Sequence, residues 1–152
     1  MSELKIGDQA PNFKMATDGE GEVSLADYKG KNLVVYFYPK DDTPGCTVEA
    51  NDFSDHYAEF QAKNTEILGI SKDSVKSHDK FKNKYELKFT LGSDESLDVC
   101  KSFGVWVEKS MYGKKYMGID RATFLIDAEG KIKQVWRKVK VKNHVTEVLS
   151  NI

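Results

Sequence analysis

Apolar positions along this chain fall into runs and spacings that predict an ordered α/β succession. Leu33-Val34-Val35-Tyr36-Phe37-Tyr38 is a short, continuous apolar and aromatic run, the pattern of a buried strand. Pro39 ends it, because proline offers no N–H to a sheet ladder. Ala50, Phe53, Tyr57 and Phe60 then recur on one face with polar residues between them, which predicts a helix over about residues 44–62. Thr65-Glu66-Ile67-Leu68-Gly69-Ile70-Ser71 reads as a second strand, and a second helix over about residues 74–86 carries Val75, Phe81 and Tyr85. Phe89-Thr90-Leu91 is a short strand, followed by a helix from Ser96 to Phe103. Arg121–Asp127 and Lys131–Trp136 predict a hairpin about the turn Asp127-Ala128-Glu129-Gly130, with glycine at its end. In the second of these strands, Ile132 and Gln134 are expected to face away from Lys131, Lys133 and Val135. A last helix runs from Lys142 to Ser150.

Upstream, Phe13 and Val23 flank Asp18-Gly19-Glu20-Gly21, which predicts an N-terminal hairpin. Gly104 to Asp120 is the longest irregular stretch. The succession as a whole predicts an α/β class: a central mixed β-sheet flanked by helices, with an N-terminal β-hairpin extension, in one domain over residues 1–152.

Bulk properties narrow the function classes. The length fits one domain, and 39% hydrophobic with 31% charged residues can both bury a core and keep it in solution. A formal net charge of −1 points to neither nucleic acid nor a membrane as a partner. Met1-Ser2-Glu3-Leu4-Lys5-Ile6 opens without an apolar run of signal-peptide length, and no stretch approaches a membrane span, so a cytoplasmic location is expected. Cys46 and Cys100 are too few for a secreted disulfide scaffold and are expected as free thiols. His56, His78 and His144 are scattered with no closely spaced Cys partner, so no metal site is expected. The lysines at 131, 133, 138, 140 and 142 read as a solvated face.

The chemistry concentrates in Pro39-Lys40-Asp41-Asp42-Thr43-Pro44-Gly45-Cys46-Thr47-Val48-Glu49. Thr43 is a good N-cap, Pro44 suits the first helical position, and Cys46 then falls third. Unpaired backbone N–H groups converge there and the helix dipole favours negative charge, which promotes the reactive thiolate. The plain alternative, a small buried hydrophobe, fits the polar Thr-Pro-Gly-Cys setting less well. The Thr43 hydroxyl can cap the turn and face the sulfur, a role compatible with simple capping. Glu49, three residues on, shares the helix face of Cys46. A carboxylate beside a thiolate is unfavourable unless a cation joins them, and an arginine fork can hold the carboxylate while another N–H faces the sulfur. The chain has two arginines, Arg121 and Arg137; Arg121, at the start of an apolar strand, is the better candidate, its alternative being an ordinary surface strand residue. A histidine base from the same helix is disfavoured, since His56 lies about 15 Å further along the axis.

These residues resemble a known family. Pro39-Lys40-Asp41-Asp42-Thr43-Pro44-Gly45-Cys46 is similar to the peroxiredoxin signature, Pro-x-x-x-Thr/Ser-x-x-Cys. The run on to Ala50, the opening Gly7-Asp8-Gln9-Ala10-Pro11-Asn12-Phe13, and Gly104-Val105-Trp106, Met117-Gly118-Ile119 and Arg121–Asp127 resemble the bacterioferritin comigratory protein/PrxQ subfamily. The resemblance implies a thioredoxin-like fold and reduction of hydrogen peroxide and organic hydroperoxides, without metal or organic cofactor. It implies that Cys46 is the peroxidatic cysteine, that Thr43 orients peroxide and sulfur, that Pro39 shields the site, and that Glu49 holds the active-site Arg121. It also implies a monomer.

The chain departs from many subfamily members at the resolving cysteine. The position five residues after Cys46 is Asn51, and alignment of the next helix puts Lys82 at the other usual place. Cys100 remains; Leu97, Cys100 and Phe103 recur at helical spacing, so it reads as a core-facing thiol, with a resolving role as the alternative. The expectation is therefore a one-cysteine mechanism, with thioredoxin, glutathione/glutaredoxin or a small dithiol as external reductant. A thioredoxin-type oxidoreductase is disfavoured because Cys-x-x-Cys is absent. A peroxide-sensing thiol switch stays open as the non-catalytic reading. Gly19-x-Gly21 has no following helix and carries no nucleotide-binding signal.

Overall fold

The computed structural model describes residues 3–152; Met1 and Ser2, part of the expected 1–152 domain, lie outside the described residues. In chain order the elements are β1 (Lys14–Thr17), β2 (Gly21–Ser24), β3 (Asn32–Phe37), α1 (Pro44–Asp55), α2 (Tyr57–Ala62), β4 (Thr65–Ser71), α3 (Val75–Tyr85), β5 (Thr90–Ser93), α4 (Asp98–Ser102), β6 (Trp106–Met111), β7 (Lys114–Ile119), β8 (Ala122–Ile126), β9 (Ile132–Trp136) and α5 (His144–Ser150).

The apolar run expected as a buried strand is β3, and Leu33 to Phe37 are fully buried. Burial on both faces puts it inside the sheet: it runs parallel to β4 and antiparallel to β8. Seven strands form one mixed sheet in the order β2-β1-β5-β4-β3-β8-β9, in which β1 and β2 are the expected N-terminal hairpin, added beyond β5. The parallel β3-β4-β5 core needs crossover connections, which α1–α2 and α3 supply.

Alternation along β3 divides the core in two, because successive strand side chains point to opposite faces. Leu33, Val35 and Phe37 pack with Cys100, Phe103 and Phe124 on one face. Val34, Tyr36 and Tyr38 pack with Cys46, Phe53, Phe60 and Phe81 on the other. Tyr36 stacks on Phe53 of α1 with ring centroids 4.5 Å apart, so the helix that begins near Cys46 is fastened directly onto the central strand.

Four expectations are corrected. The helix over 44–62 is two helices, divided at His56, although Ala50, Phe53 and Phe60 still share one buried face. The stretch from Gly104 to Asp120 is largely a β-hairpin, β6–β7, turning through Tyr112 and Gly113, both at positive φ (52° and 77°). Its apolar residues Met111, Tyr112, Tyr116 and Met117 are exposed, so no buried alternation marked it. In β9, Ile132 and Val135 face the same core, because the register against β8 shifts between Leu125 and Ile126 and Lys133 is the extra residue. The last helix begins at His144, two residues late, after Asn143 takes a left-handed conformation.

Candidate active site

The helix start is built as its residues demand. Thr43 occupies the N-cap position with extended dihedrals (φ −92°, ψ 157°), and Pro44 follows as the first helical residue. Thr47 N–H makes the first helical bond, to the Thr43 carbonyl at 2.8 Å. The N–H groups of Gly45 and Cys46 therefore precede the ladder and add to the positive end of the helix. The Thr43 hydroxyl does not cap; it donates to the Lys40 carbonyl at 2.9 Å, and no hydrogen bond joins it to Cys46 among the described residues. Pro39 is half-buried at the end of the strand run, and Cys46 is 2% exposed.

Arg121 stands immediately before β8, the strand beside β3, and reaches the helix start on the same face of the sheet. Its Nη1 donates to Glu49 Oε1 at 2.7 Å and its Nη2 donates to Cys46 Sγ at 3.4 Å. This is the fork expected from the residue types, and the structure brings Cys46, Glu49 and Arg121 together across a gap of more than seventy residues of sequence. Glu49 is fully buried; burial pushes its carboxyl up to about 7 against the opposing pull of Arg121. Gly45 leaves room for Arg121: a Cβ there would stand 3.3 Å from Nη2. The sequence held no signal for that role of Gly45.

The loop between β3 and α1 is held by contacts that sequence reasoning missed. Asp41 is buried and accepts hydrogen bonds from Tyr38 Oη at 2.6 Å and Ser77 Oγ at 2.8 Å, with His78 Nδ1 at 2.7 Å. His78 Nε2 lies 2.9 Å from the Gly92 carbonyl, which can only accept, so this nitrogen carries a proton. Burial lowers the His78 pKa, but the bond to Asp41 and its charge outweigh that, and the net direction is up. Asp42 takes Lys84 Nζ at 2.8 Å and Tyr85 Oη at 2.6 Å. Both aspartates of the motif are thus tied to α3. The available signal was an adjacent pair of acidic residues between a buried strand and a helix, and nothing in the sequence named their partners.

Cys100 is fully buried on the opposite face of the sheet, among Val99, Phe103 and Phe124. Burial raises its thiol pKa, and its side-chain bond to Asp94 raises it further. The expectation of a core-facing thiol agrees with this placement. Lys82 forms an ion pair with Asp18 at 2.8 Å. The histidines are engaged away from the sulfur: His56 with Glu59, His78 with Asp41, and His144 with Thr123 at 2.8 Å. Burial and the nearby Arg121 lower the His144 pKa to about 4. Among the described residues no group of three or more His, Cys, Asp or Glu is placed to hold a metal ion.

Residues 6–135 match the AhpC/TSA family. Over 149 residues the chain is 49% identical to Peroxiredoxin Bcp of Bacillus subtilis, with 98% of this chain and 95% of that protein covered. The chain is a peroxiredoxin of the Bcp/PrxQ group. As a peroxiredoxin it is a thiol-dependent peroxidase: a hydroperoxide is its oxidising substrate and a thiol its reductant. Its fold is that of solved relatives. Xylella fastidiosa PrxQ superposes with a TM-score of 0.93 at 42% identity, covering 99% of this chain and 96% of that one. The bacterioferritin comigratory protein of Xanthomonas campestris, studied for its alkyl peroxide reduction activity, gives 0.89 at 44% identity, with 97% and 94% covered. The peroxiredoxin accordingly has the thioredoxin-like fold expected from its motif.

Proposed function

We propose that Cys46 is the peroxidatic cysteine and that the enzyme works by a one-cysteine mechanism. The observation that carries the first part is the Arg121 fork, 2.7 Å from Glu49 and 3.4 Å from Sγ, at the positive end of α1. A cation and a helix terminus both attract negative charge to the sulfur. The Cys46 thiolate attacks one oxygen of ROOH in line with the O–O bond; the S–O bond forms as O–O breaks, giving Cys46–SOH and RO⁻, which takes a proton to become ROH. Arg121 and the N–H groups at the helix start stabilise charge as it moves onto the leaving oxygen. Thr43, anchored through Lys40, keeps its hydroxyl oxygen free as an acceptor to orient the peroxide, and Pro39 shields the sulfur from water.

The second part rests on the sheet lying between Cys46 and Cys100. A disulfide between them would require the core to open. An external thiol instead condenses with the sulfenic acid, releasing water, and a second thiol frees Cys46 as the thiol. Thioredoxin or glutathione with glutaredoxin fits this role. A single domain, a monomer and a cytoplasmic location complete the reading; no helix among the described residues is long and apolar enough to cross a membrane. Mass spectrometry after one equivalent of hydrogen peroxide tests the mechanism. A sulfenic acid or external mixed disulfide on Cys46 is expected, and a Cys46–Cys100 disulfide would overturn it. Cys46→Ser is expected to abolish peroxide turnover with dithiothreitol; turnover that survives the substitution would remove Cys46 from the chemistry.

A further inference from the structure

Among the described residues, two fully buried polar side-chain atoms lack a hydrogen-bond partner, both in the core beneath α1: the phenol oxygen of Tyr36 and the second carboxylate oxygen of Glu49, Oε2. They belong to one neighbourhood. Tyr36 faces α1 from β3, and its ring stacks on Phe53, one helical turn beyond Glu49 on the same face. Tyr36 pairs in register with Thr123, two residues after Arg121, so both side chains lie on the α1 side of the sheet. Burial pushes the phenol pKa up, and the neighbouring charges of Glu49, Cys46 and Asp41 push the same way, with Arg121 opposing. The phenol tip lies close over Gly69, where a Cβ would stand 3.0 Å from the oxygen and 2.9 Å from the ring.

A donor and an acceptor, both buried and both unsatisfied, complement each other. They form no direct hydrogen bond. One enclosed water that accepts from the Tyr36 hydroxyl and donates to Glu49 Oε2 would satisfy both. We propose that Tyr36 is a positioning residue for the reactive cysteine: through this water it fixes the free oxygen of Glu49, and so the Arg121 fork whose other arm reaches Cys46 Sγ. The proposal rests on the assignment of Cys46 given above. Without the phenol, Glu49 turns about its single contact to Arg121 and takes a proton more readily, and the field at the sulfur changes with it.

A double-mutant cycle on Cys46 alkylation by iodoacetamide, followed across pH, tests this without relying on turnover. Tyr36→Phe keeps the ring and its stacking. It is expected to move the pH midpoint of alkylation and to slow Cys46 oxidation by hydrogen peroxide about fivefold, and to add nothing when Glu49→Gln is already present. A Tyr36→Phe protein that matches the parent at every pH, or a penalty that persists undiminished beside Glu49→Gln, overturns the proposal. A crystal structure of the wild-type protein would give a measurement that needs no variant: an ordered water within hydrogen-bond distance of both atoms supports the proposal, and a dry gap refutes it. Failure of the Cys46 assignment shows separately, as surviving turnover in Cys46→Ser.

Discussion

At the scale of single residues, the site depends on one guanidinium doing two jobs. Arg121 spans Glu49 and Cys46 because its fork is planar and its donors are fixed in space. A lysine offers one compact charge and cannot hold both. Arg121→Lys is therefore expected to slow the reaction of Cys46 with hydrogen peroxide about a hundredfold, read by stopped-flow, while leaving the fold intact. Glu49 contributes a second measurable effect. Burial raises its pKa from 4.5 to about 7, so the folded state holds this proton more tightly than the unfolded state. The stabilisation from that proton is complete below the unfolded value and is lost as pH rises from 4.5 to about 7. Glu49→Gln is expected to flatten the fall in stability over that window in urea titrations; an unchanged slope would assign it to other groups. The pairing of Glu49 with an arginine was legible from residue types alone, since a carboxylate beside a sulfur nucleophile demands a cation. The involvement of Gly45 was not, because only the position of Nη2 reveals it.

At the scale of elements, α3 anchors the loop that leads into the site. Asp41 sits at the centre, bonded to Tyr38, Ser77 and His78, with its own N–H donated to Asp73. Removing His78 strands a buried carboxylate, so His78→Ala is expected to cost about 3 kcal/mol in chemical denaturation. The pH dependence has a definite sign. The folded pKa of His78 lies above its ordinary 6.5, so its stabilisation is complete below that value and is lost as pH rises through the folded value. The Ala variant should lose this alkaline decline while keeping the acidic segment due to Glu49. Element assignment from sequence succeeded where burial was one-sided or complete, as in β3 and α1. It failed at β6–β7, whose residues are mostly exposed and whose turn puts Tyr112, not a turn-forming residue, at positive φ beside Gly113. It also misjudged β9, where a one-residue bulge at Lys133 rotates Val135 into the core.

At the scale of the whole molecule, the sheet separates two thiols that the sequence could only list. Cys46 belongs to the α1 face and Cys100 to the α4 face. Under native conditions iodoacetamide is expected to label Cys46 alone, with Cys100 reacting only in denaturant; native labelling of Cys100 would show that the α4 face opens. Cys100→Ser should leave peroxide turnover within about twofold of the parent, because a core serine perturbs packing rather than chemistry. By itself the sequence singled out Cys46 and its helix-start setting, the buried central strand and the family, since these reside in local spacing and in a contiguous motif. Tertiary structure alone decided that Gly45 leaves room for Arg121, that Cys100 lies across the sheet from Cys46, and that α3 holds the loop. Each of these is a contact between residues far apart in the chain. Side-chain alternation across a paired sheet fixes such contacts, and that pairing is not encoded in any single segment.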